Sequence, residues 1–174
     1  EWLKSNNIDQ VFSVTGGGAM FLNKAFHDIY GKNICYMHHE QACAMAAEGY
    51  SRINGKPAIV NVTTGPGAIN SLNGVFGAYT DSIPMIIISG QVKTETLVGS
   101  YKDYSLRQLG DQEAQINEIV KPLCKYVALI KEPKDLETEL PKAFSEATSE
   151  RPGPVWIDIP SDIQMDTQKL KFIK

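Results

Sequence analysis

The chain has 174 residues, 43% hydrophobic and 21% charged, with a formal net charge of -3, which fits one globular domain with a sizeable core. It carries no basic run to neutralise phosphates, which argues against a nucleic-acid binder. No apolar stretch approaches the roughly 20 residues that a bilayer crossing requires.

Cys35, Cys43 and Cys124 are an odd number without a CxxC pair and read as buried free thiols in a reducing cytoplasm. No basic segment followed by an apolar core opens the chain, so no secretory signal is visible. The sequence starts at Glu1 and turns polar in "IQMDTQKLKFIK" after its last strand. Both ends read as cut, and the expectation is a single domain, residues 1–174, excised from the N-terminal part of a longer enzyme.

In chain order, "VFSV" (11–14) predicts a strand, "TGGGA" (15–19) a turn, and residues 18–30 a helix. "ICYM" (34–37) is the second strand, running through "HHEQ" (38–41) into an alanine-rich helix over 40–53. "AIVNV" (58–62) leads into "TTGPGAIN" (63–70) and a helix over 67–79; "MIIIS" (85–89) ends in "SGQV" (89–92). Lys93 to Asp111 is a long irregular stretch, and such loops are often functional. A helix over 112–120, the strand "KYVAL" (125–129), a helix over 134–149 and the strand "VWIDI" (155–159) complete the chain. Pro141 should perturb the middle of the last helix.

Continuous apolar runs of this length suit strands covered on both faces. Strand and helix in alternation predict an α/β fold: a doubly wound three-layer sandwich with a central, mostly parallel sheet of about six strands. Ligands of such sheets bind at the carboxyl ends of the strands. Four turns then share one rim: 15–19, 38–41, 63–70 and 89–92.

Several familiar motifs fail. A dinucleotide fingerprint needs a third glycine at 21, where Phe21 stands, and no acidic residue ends the next strand. "GYSRINGKP" is one residue too long for a phosphate loop, and Pro57 follows Lys56 where Ser or Thr is required. No GxSxG elbow occurs. Cys35, His38 and His39 lack a second cluster at zinc-site spacing, so packing or hydrogen bonding is the better reading. Taken locally, Glu40 is a favourable charge on a helix N-terminus.

The rim segments in order, "VFSVTGGGAM", "HHEQACAMAAEGYSRINGKPAIVNVTTGPGAINSLNGVFGAYTDSIPMIIISGQV", "QE" (112–113) and "RPGPVWIDIPSDIQ", resemble the N-terminal pyrimidine-binding domain of thiamine-diphosphate enzymes. The similarity is to the acetolactate synthase group, and it covers nearly the whole chain. It implies that Glu40 is catalytic. The family's glutamate at that position hydrogen-bonds N1′ of the aminopyrimidine and favours the imino tautomer that takes the C2 proton. Gly16 and Gly17 match the family's glycine pair beside the active centre. Thr63, Pro66 and Asn70 are implied to contact or frame the pyrimidine, although a turn meeting backbone needs accounts for the same glycines.

Gln91 is a candidate for the substrate side or for capping a loop. Gln112 and Glu113 match a pair near the substrate; Asp111 precedes them, where acetolactate synthases often carry an aromatic. Asp81, in "DSIP", reads as a turn residue. The resemblance implies Mg2+ held through a GDG…N motif of a separate C-terminal domain. Here Gln112 follows Gly110-Asp111; FAD is possible but not indicated. It further implies a 2-oxo acid substrate such as pyruvate, decarboxylation and carboligation, and a homodimer or homotetramer whose site forms between subunits, leaving the isolated domain inactive. The alternatives are a related decarboxylase or oxidase with another substrate, and a non-catalytic cofactor-binding or assembly module.

Overall fold

Each of the six predicted apolar runs forms a strand of one sheet in the computed structural model, which describes residues 1–101 and 105–172. The strands are β1 (Val11–Ser13), β2 (Ile34–Tyr36), β3 (Ala58–Val62), β4 (Met85–Gln91), β5 (Tyr126–Leu129) and β6 (Pro154–Pro160). All neighbours pair in parallel, in the order β2-β1-β3-β4-β6-β5. Register aligns Val11 with Ile34 and Ile59, Ala58 with Met85, Met85 with Pro154, and Tyr126 with Val155.

Successive side chains point to opposite faces of a strand, so each central strand feeds two cores. Ile59, Ile86, Ile88, Val155 and Ile157 pack on one side; Val60, Val62, Ile87 and Trp156 pack on the other. The first core is covered by α1 (Trp2–Ser5), α2 (Met20–Tyr30) and, further along the chain, Leu136–Thr148. The second is covered by α3 (Glu40–Asn54), by the paired helices α4 (Pro66–Asn70) and α5 (Leu72–Thr80), and by α6 (Ile116–Val120). Leu136–Thr148 is α7, and α8 (Ser161–Gln164) follows β6. The three-layer α/β expectation therefore holds.

Four details differ from the expectation. β2 is an edge strand, so Cys35 and Tyr36 are exposed and only Cys43 and Cys124 are buried thiols. The helix placed over 67–79 is two pieces meeting at Ser71, whose hydroxyl donates to the Ala68 carbonyl at 2.7 Å. A side chain competing for the backbone acceptor in this way interrupts a helix. Residues 112–115 are not helical: Gln112 ends a turn at φ 56°, a left-handed backbone that no helix accepts.

Pro141 does not break α7. The missing hydrogen bond costs about 3 kcal/mol in a helix interior, and buried Leu140, Ala143 and Ala147 anchor the same helix to the sheet. The irregular stretch 93–111 contains two single turns of 3₁₀ helix, Thr94–Thr96 and Val98–Ser100; its residues 102–104 lie outside the described residues.

Candidate functional site

The chain leaves β1 for β2 on one side and returns as β3 on the other. The carboxyl ends of β1 and β3 therefore flank a crevice, the place where open α/β sheets bind ligands. Two turns close on each other there. Gly18 donates its N–H to Thr63 Oγ1 at 3.0 Å. A Cβ on Gly16 would lie 2.5 Å from Thr63 Cβ, and one on Gly67 would lie 2.7 Å from Thr63 Cγ2. Side chains at these glycines would drive the two turns apart. Gly65, at φ 59° and ψ -119°, holds a conformation that favours glycine. Pro66, whose missing N–H costs nothing at a helix start, then opens α4.

Glu40 reaches this crevice from the end of β2. His39 caps α3, its Nδ1 accepting the Gln41 N–H at 3.1 Å. Glu40 is thus the first helical residue, where a negative charge is favoured by the helix dipole. Its side chain is not turned to solvent: the residue is 8% exposed, and Asn70 Nδ2 donates to Oε2 at 3.0 Å. The other oxygen, Oε1, lies where a Cβ on Gly67 would meet it at 3.2 Å. Among the described residues no cation pairs with Glu40. One turn along α3, burial and then the Glu40 carboxylate push the Cys43 thiol up to about 12, which keeps it protonated.

The structure brings Glu40, Asn70, Thr63 and Gly16 into one cluster around Gly67. Gly17 is exposed, with open space where its side chain would be, and Pro66 lies exposed on the rim. Gln112 also reaches the cluster, but through its backbone. A Cβ on Gly65 would come within 2.1 Å of the Gln112 carbonyl oxygen, while the Gln112 residue is exposed. Glu113 is a clasp for the loop ahead of it, accepting the N–H groups of Val98, Leu109 and Gly110. Asp81 binds Arg52, which also pairs with Glu48 on α3, so its role is at a helix junction.

Gln91 sits on the rim, as the sequence places it, but its amide turns inward. Oε1 accepts from Thr64 Oγ1 at 2.7 Å and from the Val92 N–H at 2.9 Å. Nε2 donates to Asp158 Oδ2 at 2.9 Å and to the Ala114 carbonyl at 3.2 Å. The amide's four hydrogen-bonding positions are all used.

Asp158, which the sequence reading did not single out, is fully buried in β6. Ser89 Oγ and Asn117 Nδ2 also donate to it, at 2.5 Å and 3.0 Å. Burial pushes its carboxyl up to about 6, and the three hydrogen bonds pull the other way. One signal for it existed: an acidic residue inside "VWIDI", a run otherwise suited to a strand buried on both faces.

Comparison with known proteins places this geometry in context. A family profile described as "Thiamine pyrophosphate enzyme, N-terminal TPP binding domain" matches residues 1–116. The chain is 40% identical over 160 residues to the acetolactate synthase large subunit of Haemophilus influenzae, covering 92% of this chain and 26% of that protein. Against the acetolactate synthase isozyme 3 large subunit of Escherichia coli it is 38% identical over 171 residues, 98% and 28% of the two chains. The mitochondrial acetolactate synthase catalytic subunit of Saccharomyces cerevisiae is 36% identical over 163 residues, 94% and 22%. The chain therefore spans about a quarter of the length of these relatives.

Proposed function

The chain belongs to the thiamine pyrophosphate enzyme N-terminal domain family, and we propose that Glu40 is the residue through which it activates the aminopyrimidine of thiamine diphosphate. One observation carries this reading: a desolvated carboxylate, steadied by Asn70, presents its second oxygen toward Gly67 at the start of α4, directly after the turn that follows β3. That oxygen has no protein donor among the described residues, and a ring nitrogen that holds the proton it shares with the carboxyl can supply one. The glycine turns leave backbone, not side chain, at the crevice wall, which fits a flat heterocycle.

Bound there, thiamine diphosphate supplies the carbon nucleophile and electron sink for decarboxylation of a 2-oxo acid. The chain's own contributions are local. Glu40 accepts a hydrogen bond from the ring and passes a proton to and from that nitrogen. Asn70 orients Glu40, and Thr63, Gly16, Gly17 and Pro66 shape the walls. Gln112, exposed beside Gly65, faces the substrate side, whereas Gln91 holds the loop from beneath.

The likeness to acetolactate synthases supports pyruvate or a similar 2-oxo acid as substrate, with decarboxylation followed by carboligation. In this reading another domain holds the diphosphate and Mg2+, residues 1–174 form one domain of that enzyme, and the isolated chain turns over nothing. Three free cysteines fit a reducing, cytoplasmic setting. Among the described residues no helix is long and apolar enough to cross a membrane. A homodimer or homotetramer is supported by apolar side chains on the outer face of α3, α4 and α5: Met45, Ile69 and Phe76 are 45%, 43% and 52% exposed.

The test is Glu40→Gln in the full-length enzyme. It should keep the fold and slow hydrogen–deuterium exchange at C2 of the bound cofactor by about 10²–10⁴-fold, the usual range for a general acid–base group. Unchanged exchange rejects the role.

A further inference from the structure

Beneath the crevice the polar side chains of β4, β6 and α6 form one connected set whose hydrogen-bond directions are fixed by groups that cannot reverse. The Val92 N–H can only donate and the Ala114 carbonyl can only accept. Together they set Gln91 with Oε1 toward Thr64 and Nε2 toward Asp158. Trp156 Nε1 likewise can only donate, and it does so to Ser89 Oγ at 2.7 Å. The Ser89 hydroxyl accordingly gives its own hydrogen to Asp158.

Asp158 thus meets only donors. Two chains of bonds end on it: Trp156 to Ser89 to Asp158, and Thr64 to Gln91 to Asp158. Bonds chained in one direction polarise and strengthen each other. A buried carboxylate without a cation is a cost to the fold, and well-packed apolar residues at such sites often leave stability unchanged or improved. Its position, one glutamine away from the cofactor turn, gives that cost a use.

We propose that Asp158 is a positioning residue: through Gln91 it fixes the hydroxyl of Thr64, and so the backbone of the Thr63–Gly67 turn on which Glu40 and the cofactor ring depend. This rests on the reading of Glu40 and the turn as the aminopyrimidine site. Thr64 lies between Thr63, wedged among three glycines, and Gly65, whose conformation admits little besides glycine. Turning the Thr64 hydroxyl away would loosen the turn at its middle, while leaving Glu40 and Asn70 intact.

The experiment uses the full-length enzyme with Asp158→Asn, Gln91→Glu and the two combined. Asp158→Asn sets amide hydrogens either against those of Gln91 and Asn117 or against the Ser89 hydroxyl, which already accepts from Trp156 and then loses the acceptor for its own hydrogen. Gln91 cannot turn over without losing both of its backbone partners. Gln91→Glu alone brings two carboxylates together. In the combined variant the introduced carboxylate accepts from Thr64, Val92 and the introduced amide, so the direction of the Thr64 bond returns, while the bond to the Ala114 carbonyl stays lost. The buried, unpartnered Asn117 Oδ1 is available to the remaining amide hydrogen.

Three readouts are taken: the dissociation constant for thiamine diphosphate by calorimetry at saturating Mg2+, C2 exchange of bound cofactor, and Tm without cofactor. Each single variant should weaken cofactor binding and slow exchange about tenfold or more, and the combined variant should regain at least about threefold of both relative to the single variants. If Asp158→Asn lowers Tm but leaves affinity and exchange unchanged, the residue only supports the fold and the proposal is overturned. Loss in the single variants with no recovery in the combined one overturns the path through Gln91. Should Asp158→Asn not fold, Thr64→Val removes the same hydroxyl; unchanged affinity in that variant overturns the proposal. Failure of the unmodified enzyme to bind thiamine diphosphate is a separate result, which rejects the aminopyrimidine site itself.

Discussion

An ionised carboxyl in a strand with no water around it loses solvation that hydrogen bonds only partly restore. Asp158 shows the balance, with its carboxyl raised to about 6 against an unfolded value near 3.9. Between those values the native state binds the proton more readily than the unfolded chain. The group's contribution is therefore fully present at low pH and is lost as pH rises through about 6. Replacing it by Asn removes that dependence. The unfolding free energy of the unmodified protein, relative to Asp158→Asn, should fall by about 2 kcal/mol between pH 4 and pH 7. Denaturant titrations at several pH values measure it, and a difference that stays flat contradicts the assignment. Glu40 was legible in the sequence because it starts a helix in a recurring pattern of motifs. Asp158 was not singled out, because its partners lie on β4 and α6, far away in the chain.

Helices α3 and α5 pack with almost no side chain between them. A Cβ on Gly74 would lie 2.6 Å from Ala44 Cβ and 2.8 Å from the Met45 nitrogen, so the small residues of "ACAMAA" and "NGVFGA" set the separation. Gly74→Ala should destabilise the domain by about 1–3 kcal/mol, the usual cost of overpacking, read as a lower denaturant midpoint with unchanged slope. An unchanged midpoint would mean that the helices part freely. At this scale the strands were legible, since buried parallel strands are continuous apolar runs. The helix ends were less so. Ser71 divides α4 from α5 by a local bond, whereas Gln112 abandons the helix because its carbonyl seats against Gly65, which no local pattern reveals.

For the molecule as a whole, the sequence predicted a parallel sheet with a binding rim but not the order of its strands, since pairing is decided between elements distant in the chain. The same holds for the face carrying Met45, Ile69 and Phe76, one on each of α3, α4 and α5: these side chains are apolar like the core residues beside them, yet they end outside. If a second copy covers them, Met45→Glu with Phe76→Glu should convert the full-length protein to monomer. Sedimentation velocity measures the change, circular dichroism should show the fold retained, and an unchanged mass rules that face out as the contact.

The hydrogen bonds that assemble the crevice join residues far apart along the chain. Gly18 to Thr63 spans 45 positions, Thr64 to Gln91 spans 27, and Gln91 to Asp158 spans 67. Loops of that length must close before any of these bonds can form, and their entropy is spent first. A partly folded species that lacks β6 therefore lacks the Gln91 to Asp158 bond beneath the crevice. A ligand seated there binds only the species in which these distant partners have met, and so adds its binding energy to the stability of the whole sheet.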